Sequence, residues 1–135
     1  MKVNDQKTKI FPINWTHKQD FEPKMYYDSN QLNVEYKVKL LGVIWNSNCE
    51  WDENTDYLVK KANSRLFFMR RLKSLGASPK TLKEVYVLFV RSILEQCAPL
   101  WAGNLTKKSS KALTLVEKNA LRIIYPRKNY EEATQ

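Results

Sequence analysis

Side chains able to do covalent or acid–base chemistry are few and scattered in this chain of 135 residues. His17, the sole histidine, has no evident partner. Cys49 and Cys97 are too few for a disulfide framework and, with one histidine, cannot form a zinc site. Three glycines in the whole sequence leave no glycine-rich phosphate loop. We therefore expect no catalytic residue, no metal site and no cofactor.

Acidic residues concentrate where a helix is predicted to begin. Glu50, Asp52, Glu53 and Asp56 crowd that start, and helix capping together with the positive end of the helix dipole accounts for them. Phosphoryl transfer through two metal ions would instead need carboxylates clustered on rigid strands, with the ions about 4 Å apart. The acids of this chain do not form such a set.

Basic residues carry the clearer pattern. The net charge is +9, and residues 60–91 hold nine Lys or Arg against one acid, whereas residues 1–59 are net negative. At helical spacing, one stripe of the predicted first helix consists of Lys60, Ser64, Phe67 and Arg71, with Asn63 and Arg70 beside it. A similar ridge on the predicted third helix consists of Lys111, Leu115, Lys118 and Arg122.

Two interpretations of these stripes stay open on spacing alone. Cations around an aromatic ring can meet phosphates while the ring packs on a sugar or a base. Alternatively, Lys and Arg only keep the surface solvated, and Phe67 and Leu115 pack against the rest of the protein.

The periodicity changes near residue 50. Before it, residues 8–13 alternate weakly and predict a strand, and residues 24–27 and 32–36 predict a hairpin around a polar turn at 28–30. Residues 38–45 form a mostly apolar run that predicts a strand covered on both faces. The segment at 14–23 is polar and predicts a surface loop.

After residue 50 the pattern is helical. Asp52 or Asn54 can cap a first helix, and Gly76 lies just past its end, where a left-handed residue is wanted. Ser78 and Pro79 predict the start of a second helix, whose wide apolar face includes Phe89. A third helix is predicted from Thr106 or Ser109 to Pro126. The expected class is therefore α+β: a small antiparallel sheet or hairpin, followed by a three-helix bundle.

Short motifs in series resemble the C-terminal part of a reverse transcriptase of non-LTR, jockey-like retrotransposons. Residues 4–9 resemble the family's "N-x-x-K-T-K" segment, and residues 39–43 its "K-x-L-G-V" primer grip. Residues 60–72 resemble its thumb helix. Residues 86–101 resemble its "Y-x-x-x-x-R-S-x-L-x-Y-x-x-P-x-W" segment, and residues 117–124 its closing "x-Q-K-x-A-L-R-I-I". The chain departs from the family at Gln96, where tyrosine is commoner, and at residues 44–46.

The resemblance implies a truncated polymerase that lacks the catalytic aspartates, because these would precede Met1. Palm strands would occupy residues 1–50, a thumb-like helical domain residues 51–128, and a frayed tail residues 129–135. Alone, the chain would be no enzyme, and Mg²⁺ would bind only in the intact polymerase. Lys7 falls on the fourth polymerase motif, whose lysine is a general acid. Without the catalytic aspartates, Lys7 would have no such role in this chain.

The implied partner is an RNA/DNA template–primer duplex, bound weakly and with salt dependence. The implied primer-grip residues are Lys39, Leu40, Leu41, Gly42 and Val43. The residues expected to bind nucleic acid are Lys60, Lys61, Arg65, Phe67, Arg70, Arg71, Lys73, Lys118 and Arg122. Self-association through open strand edges is a further expectation.

Two alternatives remain beside this hypothesis: a protein-interaction module, and a decayed element product without a selected function. No run approaches the roughly 20 apolar residues that a membrane span needs, and the N-terminus has no signal-peptide core. We therefore expect an intracellular protein, nuclear or cytoplasmic and not secreted, with no membrane partner.

Overall fold

The computed structural model describes residues 8–14, 23–27 and 29–126 of the chain. It has the predicted α+β class, with short strands before residue 50 and helices after it. The chain divides into two compact units, Met1–Trp51 and Asp52–Gln135, called here the strand unit and the helical unit. Lys7 and the predicted tail at 129–135 lie outside the described residues, as does most of the predicted loop at 14–23.

The strand unit is built from three pairs of short strands. β1 (Lys9–Ile10) pairs in parallel with β4 (Asn33–Val34), and β2 (Tyr26–Tyr27) pairs antiparallel with β3 (Asn30–Gln31). The third pair is antiparallel and joins β5 (Lys37–Leu40) to β6 (Val43–Asn46). A hairpin is therefore present near the predicted one, but its second strand is β3, whereas the predicted second strand at 32–36 contains β4, which pairs with β1 instead.

The prediction of one continuous strand over residues 38–45 is wrong. Leu40 pairs directly with Val43, so Leu41 and Gly42 form a two-residue turn in the middle of the apolar run. Both have positive φ, +51° for Leu41 and +84° for Gly42, which is the backbone of the hairpin turn that matches strand twist. Because leucine is rarely found in this conformation, the sequence pattern hid the turn.

The helical unit begins with α1 (Asp52–Ser74), which is followed by a second helical stretch and then by a third. The second stretch consists of α2 (Pro79–Val85), a π-helical segment (Tyr86–Arg91) and α3 (Ser92–Leu94). After a turn come α4 (Ala98–Trp101) and a 3-10 turn (Ala102–Asn104), and finally α5 (Lys107–Ile124).

Local signals set the starts of α2 and α5 and the end of α1 as predicted. The Ser78 hydroxyl accepts a hydrogen bond from the Thr81 amide at 3.2 Å, and the Thr106 hydroxyl accepts one from the Ser109 amide at 3.2 Å. At the end of α1, Gly76 has φ +88°. Its amide bonds the Lys73 carbonyl while the Ala77 amide bonds the Leu72 carbonyl, which is the Schellman arrangement that satisfies the last carbonyls of a helix.

A single apolar cluster holds the helical unit together. Its buried members come from all three helical stretches: Ala62, Leu66, Met69, Leu82, Val90, Leu94, Val116, Ala120, Ile123 and Ile124. Burial of each large side chain contributes about 1.5–3 kcal/mol before conformational entropy is subtracted. Apolar residues at helical spacing in α1 and α5 supply most of this cluster.

The second helical stretch differs from its prediction at Phe89. This ring was expected in the core, yet about half of it is exposed. The reason is the π-helical segment, in which each amide bonds five residues back and the side chains change direction relative to a regular α-helix. Val87 and Leu88 are exposed beside it.

The first and last helices of this unit run parallel. The Asp52 carboxylate at the start of α1 accepts hydrogen bonds from Thr106 and Ser109 at the start of α5. At the other end, the Lys73 ammonium donates to the Ile123 carbonyl in the last turn of α5. Because like ends of the two helices meet, their dipoles add, and one side chain of the opposite sign lies at each end.

Candidate nucleic-acid interface

The outward face of α1 changes from acidic to basic along the helix. The first turn carries Asp52 and Glu53, whereas every charged side chain from Lys60 to Lys73 is basic. Its inward face buries Leu58, Ala62, Leu66 and Met69. The cations therefore lie opposite the core, on a surface that the fold leaves to solvent.

Six residues make up this surface, called here the α1 cationic face: Lys60, Asn63, Ser64, Phe67, Arg70 and Arg71. All six are exposed. The stripe predicted from spacing is thus solvent-exposed, and 67% of the surface of Phe67 is accessible.

The charged groups of this face are not neutralised by the protein. Within the described part of the chain, Lys60, Arg70 and Arg71 form no side-chain hydrogen bond or ion pair. Residues 57–126 contain only three acids, and one of them, Glu95, pairs with Arg91 at 2.6 Å. An unpaired cation keeps its full hydration and its full attraction for a phosphate.

Lys61, Arg65 and Lys73 have different surroundings from the α1 cationic face. Arg65 is exposed, but it lies on another side of the helix, closer to the buried stripe. The Lys61 ammonium lies 5.8 Å from the centre of the Tyr57 ring, so it makes a cation–π contact within α1. Lys73 is half-buried, and its ammonium is engaged by the Ile123 carbonyl. Lys73 therefore serves the packing of α1 on α5.

The ridge predicted on the third helix is present on α5. Lys111, Leu115 and Arg122 are exposed, and Lys118 is half-buried. A shallow hollow of about 200 Å³ is lined by Ser110, Lys111, Thr114, Leu115 and Lys118, all of them on this one helix. Because its lining comes from a single helix surface, it does not enclose a small molecule.

The residues expected to act as a primer grip form the β5–β6 turn of the strand unit. Leu41 is at the tip and 84% exposed, Leu40 and Lys39 are exposed, and Val43 is buried. A primer-grip role for them is implied only by the resemblance to reverse transcriptases.

Asp52 has the most perturbed environment among the acids of α1. The Ser109 hydroxyl donates to its Oδ1 at 2.5 Å and the Thr106 hydroxyl at 2.7 Å. These hydrogen bonds, the one from Ser109 first, hold the pKa of the Asp52 carboxyl below its ordinary value. The Asp52 carboxylate thus joins the start of α1 to the start of α5 and has a structural role.

Sequence reasoning overlooked part of the basic surface. Lys80 and Lys83 on α2 and Lys107 and Lys108 at the start of α5 are exposed as well. The adjacent lysines at the predicted start of the third helix indicate a basic surface there, although cations at a helix start oppose the helix dipole. Residues 52–126 carry a net charge of +8.

Comparison with known protein families matches part of this chain. A family model described as "Alkylated DNA repair protein alkB homolog 8, N-terminal" matches residues 51–95. The matched stretch reaches from Trp51 through α1, α2 and the π-helical segment to the end of α3, which is about one third of the chain. No curated protein and no solved structure matches.

This match overturns the predicted reverse-transcriptase family, and the predictions of a polymerase fragment and of a transposable-element origin are wrong. The two alternatives, an interaction module and a decayed element product, gain no support from it either. The motif series misled because runs such as lysine and arginine beside apolar residues occur in any basic amphipathic helix.

Two features are absent from the residues that the structure describes. No helix there combines the length and the apolar character that a membrane span requires. Among the same residues, no group of three or more His, Cys, Asp or Glu side chains is placed to hold a metal ion.

Proposed function

We propose that the helical unit binds nucleic acid, with phosphates held by the α1 cationic face and without reading of the base sequence. The observation that carries this proposal is the set of exposed cations Lys60, Arg70 and Arg71, which the described part of the protein leaves without counter-charges. Contacts from such side chains to phosphates position a nucleic acid but do not distinguish bases.

The family match supports the same proposal. The matching model takes its name from a protein that repairs alkylated DNA, and the matched residues 51–95 contain the whole α1 cationic face. The net charge of +8 on residues 52–126 adds a long-range attraction for any polyanion, which raises the rate of encounter.

A salt titration of binding tests the proposal. Each phosphate contact contributes about 0.7–0.9 to the slope of log affinity against log salt concentration. Replacing Lys60, Arg70 and Arg71 together by Gln should therefore lower that slope by roughly 2–3 and weaken binding at low salt. Fluorescence anisotropy with a labelled single-stranded RNA and with an RNA–DNA duplex provides the measurement.

A second triple variant provides a control with the same change of charge. Lys80, Lys83 and Lys107 are exposed cations of the helical unit outside α1, and their replacement by Gln should lower the slope less. Equal losses in the two triple variants would show that overall charge, not this face, carries binding. No binding of either probe by the unaltered protein at low salt would refute the function itself.

A further inference from the structure

An aromatic ring lies uncovered in the middle of the α1 cationic face. Phe67 is 67% exposed, although its neighbour Leu66 is fully buried on the other side of the helix. An exposed phenyl ring contributes nothing to the core and keeps apolar surface in water. Electrostatic binding of phosphates does not use it, so the ring can add a contact of a different kind.

The surroundings of the ring indicate what it could contact. Residues three and four apart on a helix lie roughly 5–6 Å apart at their Cβ atoms. One turn after Phe67 are Arg70 and Arg71, and one turn before it are Asn63 and Ser64, all of them exposed. The ring therefore has two cations on one side and two small hydrogen-bonding side chains on the other.

Among the described residues, Phe67 takes no part in an aromatic pair or a cation–π contact, and two thirds of its surface is accessible. The aromatic pair recorded there joins Trp45 to Trp51, and the cation–π contact joins Lys61 to Tyr57, so neither involves Phe67. A flat apolar ring beside arginines is the combination that protein surfaces use to stack on bases while they hold the backbone.

Duplex and single-stranded nucleic acids differ in whether they can use such a ring. In a duplex the faces of the bases are stacked inside, and the major groove of an A-form helix is too deep and narrow for side chains to read. A single strand can turn a base outward, so that its face becomes available. Only the unpaired form can meet Phe67 and the arginines together.

We propose, building on the function proposed above, that the α1 cationic face selects unpaired nucleotides. Phe67 stacks on an exposed base, and Arg70 and Arg71 hold neighbouring phosphates. Charge complementarity selects this occupant over a second copy of the chain, because two faces of the same positive sign repel each other. Asn63 and Ser64 supply hydrogen bonds to sugar or phosphate oxygens.

The test compares one single-stranded RNA without self-complementarity with a duplex of the same length, by fluorescence anisotropy at one salt concentration. The unaltered protein should bind the single strand about tenfold more tightly, the contribution expected of one stacked base. Phe67→Ala and Phe67→Leu should both lose most of that preference, whereas their affinity for the duplex should change by no more than about twofold. Phe67→Tyr, which keeps the ring, should retain the preference.

Leu75→Ala is the matched control, because Leu75 is a large apolar side chain that is 77% exposed just after α1. It should bind both probes like the unaltered protein. Circular dichroism melts of all variants show whether they fold, and Phe67→Tyr keeps the proposal testable if the alanine variant does not.

Several outcomes would overturn the proposal and leave the proposed function standing. Equal affinity of the unaltered protein for the two probes is one, and full retention of the preference by Phe67→Leu is another, since it would indicate apolar contact without stacking. Dissociation of an oligomer by Phe67→Ala, seen on a sizing column, would assign the ring to self-association. Tighter binding to phosphatidylserine vesicles than to the single strand, lost in Phe67→Ala, would assign it to a lipid surface.

Discussion

Two basic residues near the end of α1 show how differently similar side chains are used. Arg71 is exposed and has no side-chain partner among the described residues. Lys73, two positions on, is half-buried and donates to the Ile123 carbonyl of α5. Their types and spacing are those of one basic cluster, but only Arg71 belongs to the α1 cationic face.

The pair Arg71→Ala and Lys73→Ala should therefore separate binding from stability. Lys73→Ala removes a charged donor from the carbonyl end of α5, so we expect a loss of about 1 kcal/mol in the free energy of unfolding. Its effect on the salt slope of nucleic-acid binding should be small. Arg71→Ala should lower that slope by roughly one phosphate contact and leave unfolding almost unchanged.

Urea denaturation and the anisotropy titration measure the two properties. The reverse pattern, with Lys73→Ala weakening binding and Arg71→Ala weakening the fold, would contradict the assignment of these two residues.

At the scale of elements, the parallel packing of α1 and α5 has an electrostatic consequence. Parallel helices bring two positive dipole ends together, and Asp52 places a carboxylate there, held by the hydroxyls of Thr106 and Ser109. The same hydroxyl of Thr106 accepts the Ser109 amide, so one small network caps α5 and joins it to α1. Asp52 thus has a structural role, through hydroxyls at the start of α5 and not through the capping of its own helix that the sequence predicted.

This network makes stability depend on pH in a defined direction. The folded-state pKa of Asp52 is lower than its unfolded value, so its contribution is present above the ordinary carboxyl pKa of about 3.9. That contribution is lost as the pH falls through the folded-state pKa. Asp52→Asn should lower the melting temperature at neutral pH. It should also reduce the further fall in melting temperature between about pH 5 and about pH 1, the range over which a hydrogen-bonded carboxylate loses its contribution.

Asp56→Asn is the control, because Asp56 is an exposed acid of the same helix start. It should change the acid limb of the melting-temperature profile less than Asp52→Asn does. Identical profiles for the two variants would show that the network with Thr106 and Ser109 does not contribute.

At the scale of the whole molecule, charge is distributed unequally between the two units. Residues 52–126 carry a net charge of +8, whereas residues 1–51 are close to neutral. A compact unit with so many like charges repels itself, and counter-ions or a polyanion relieve that repulsion. The cations of the α1 cationic face are therefore expected to favour binding of a polyanion and to lower the folding stability of the unit.

The triple variant Lys60→Gln, Arg70→Gln, Arg71→Gln should make this conflict visible. Loss of like-charge pairs, such as the one between Arg70 and Lys73, should stabilise the unit by roughly 0.5 kcal/mol. That corresponds to an increase of about 2–4 °C in the melting temperature at low salt. Added salt should raise the melting temperature of the unaltered protein more than that of the variant, because it screens repulsion that the variant no longer has.

Calorimetry at two salt concentrations gives this comparison. A triple variant that melts well below the unaltered protein would mean that these side chains stabilise the fold, and its loss of binding could then not be assigned to the interface.

Local chemistry made much of the helical unit predictable. Ser78 with Pro79, Thr106 and Gly76 each act within a few residues of the chain, so their caps are visible in the sequence. Apolar spacing likewise identified the buried side of α1 and left Phe67 on the opposite side. A family resemblance read from such spacing was wrong, because basic amphipathic spacing is shared by unrelated helices.

The sequence by itself determined the starts of α2 and α5, the end of α1, the α+β class and the cationic side of α1, because these follow from interactions between near neighbours. Tertiary structure alone decided that the Lys73 ammonium donates to the Ile123 carbonyl, fifty residues away. It likewise decided that Asp52 accepts hydrogen bonds from Thr106 and Ser109. It also decided that Leu41 turns a hairpin and that the π-helical segment exposes Phe89. In the first two cases residues distant in the chain meet, and in the last two the backbone departs from the local preference, so no local pattern records the outcome.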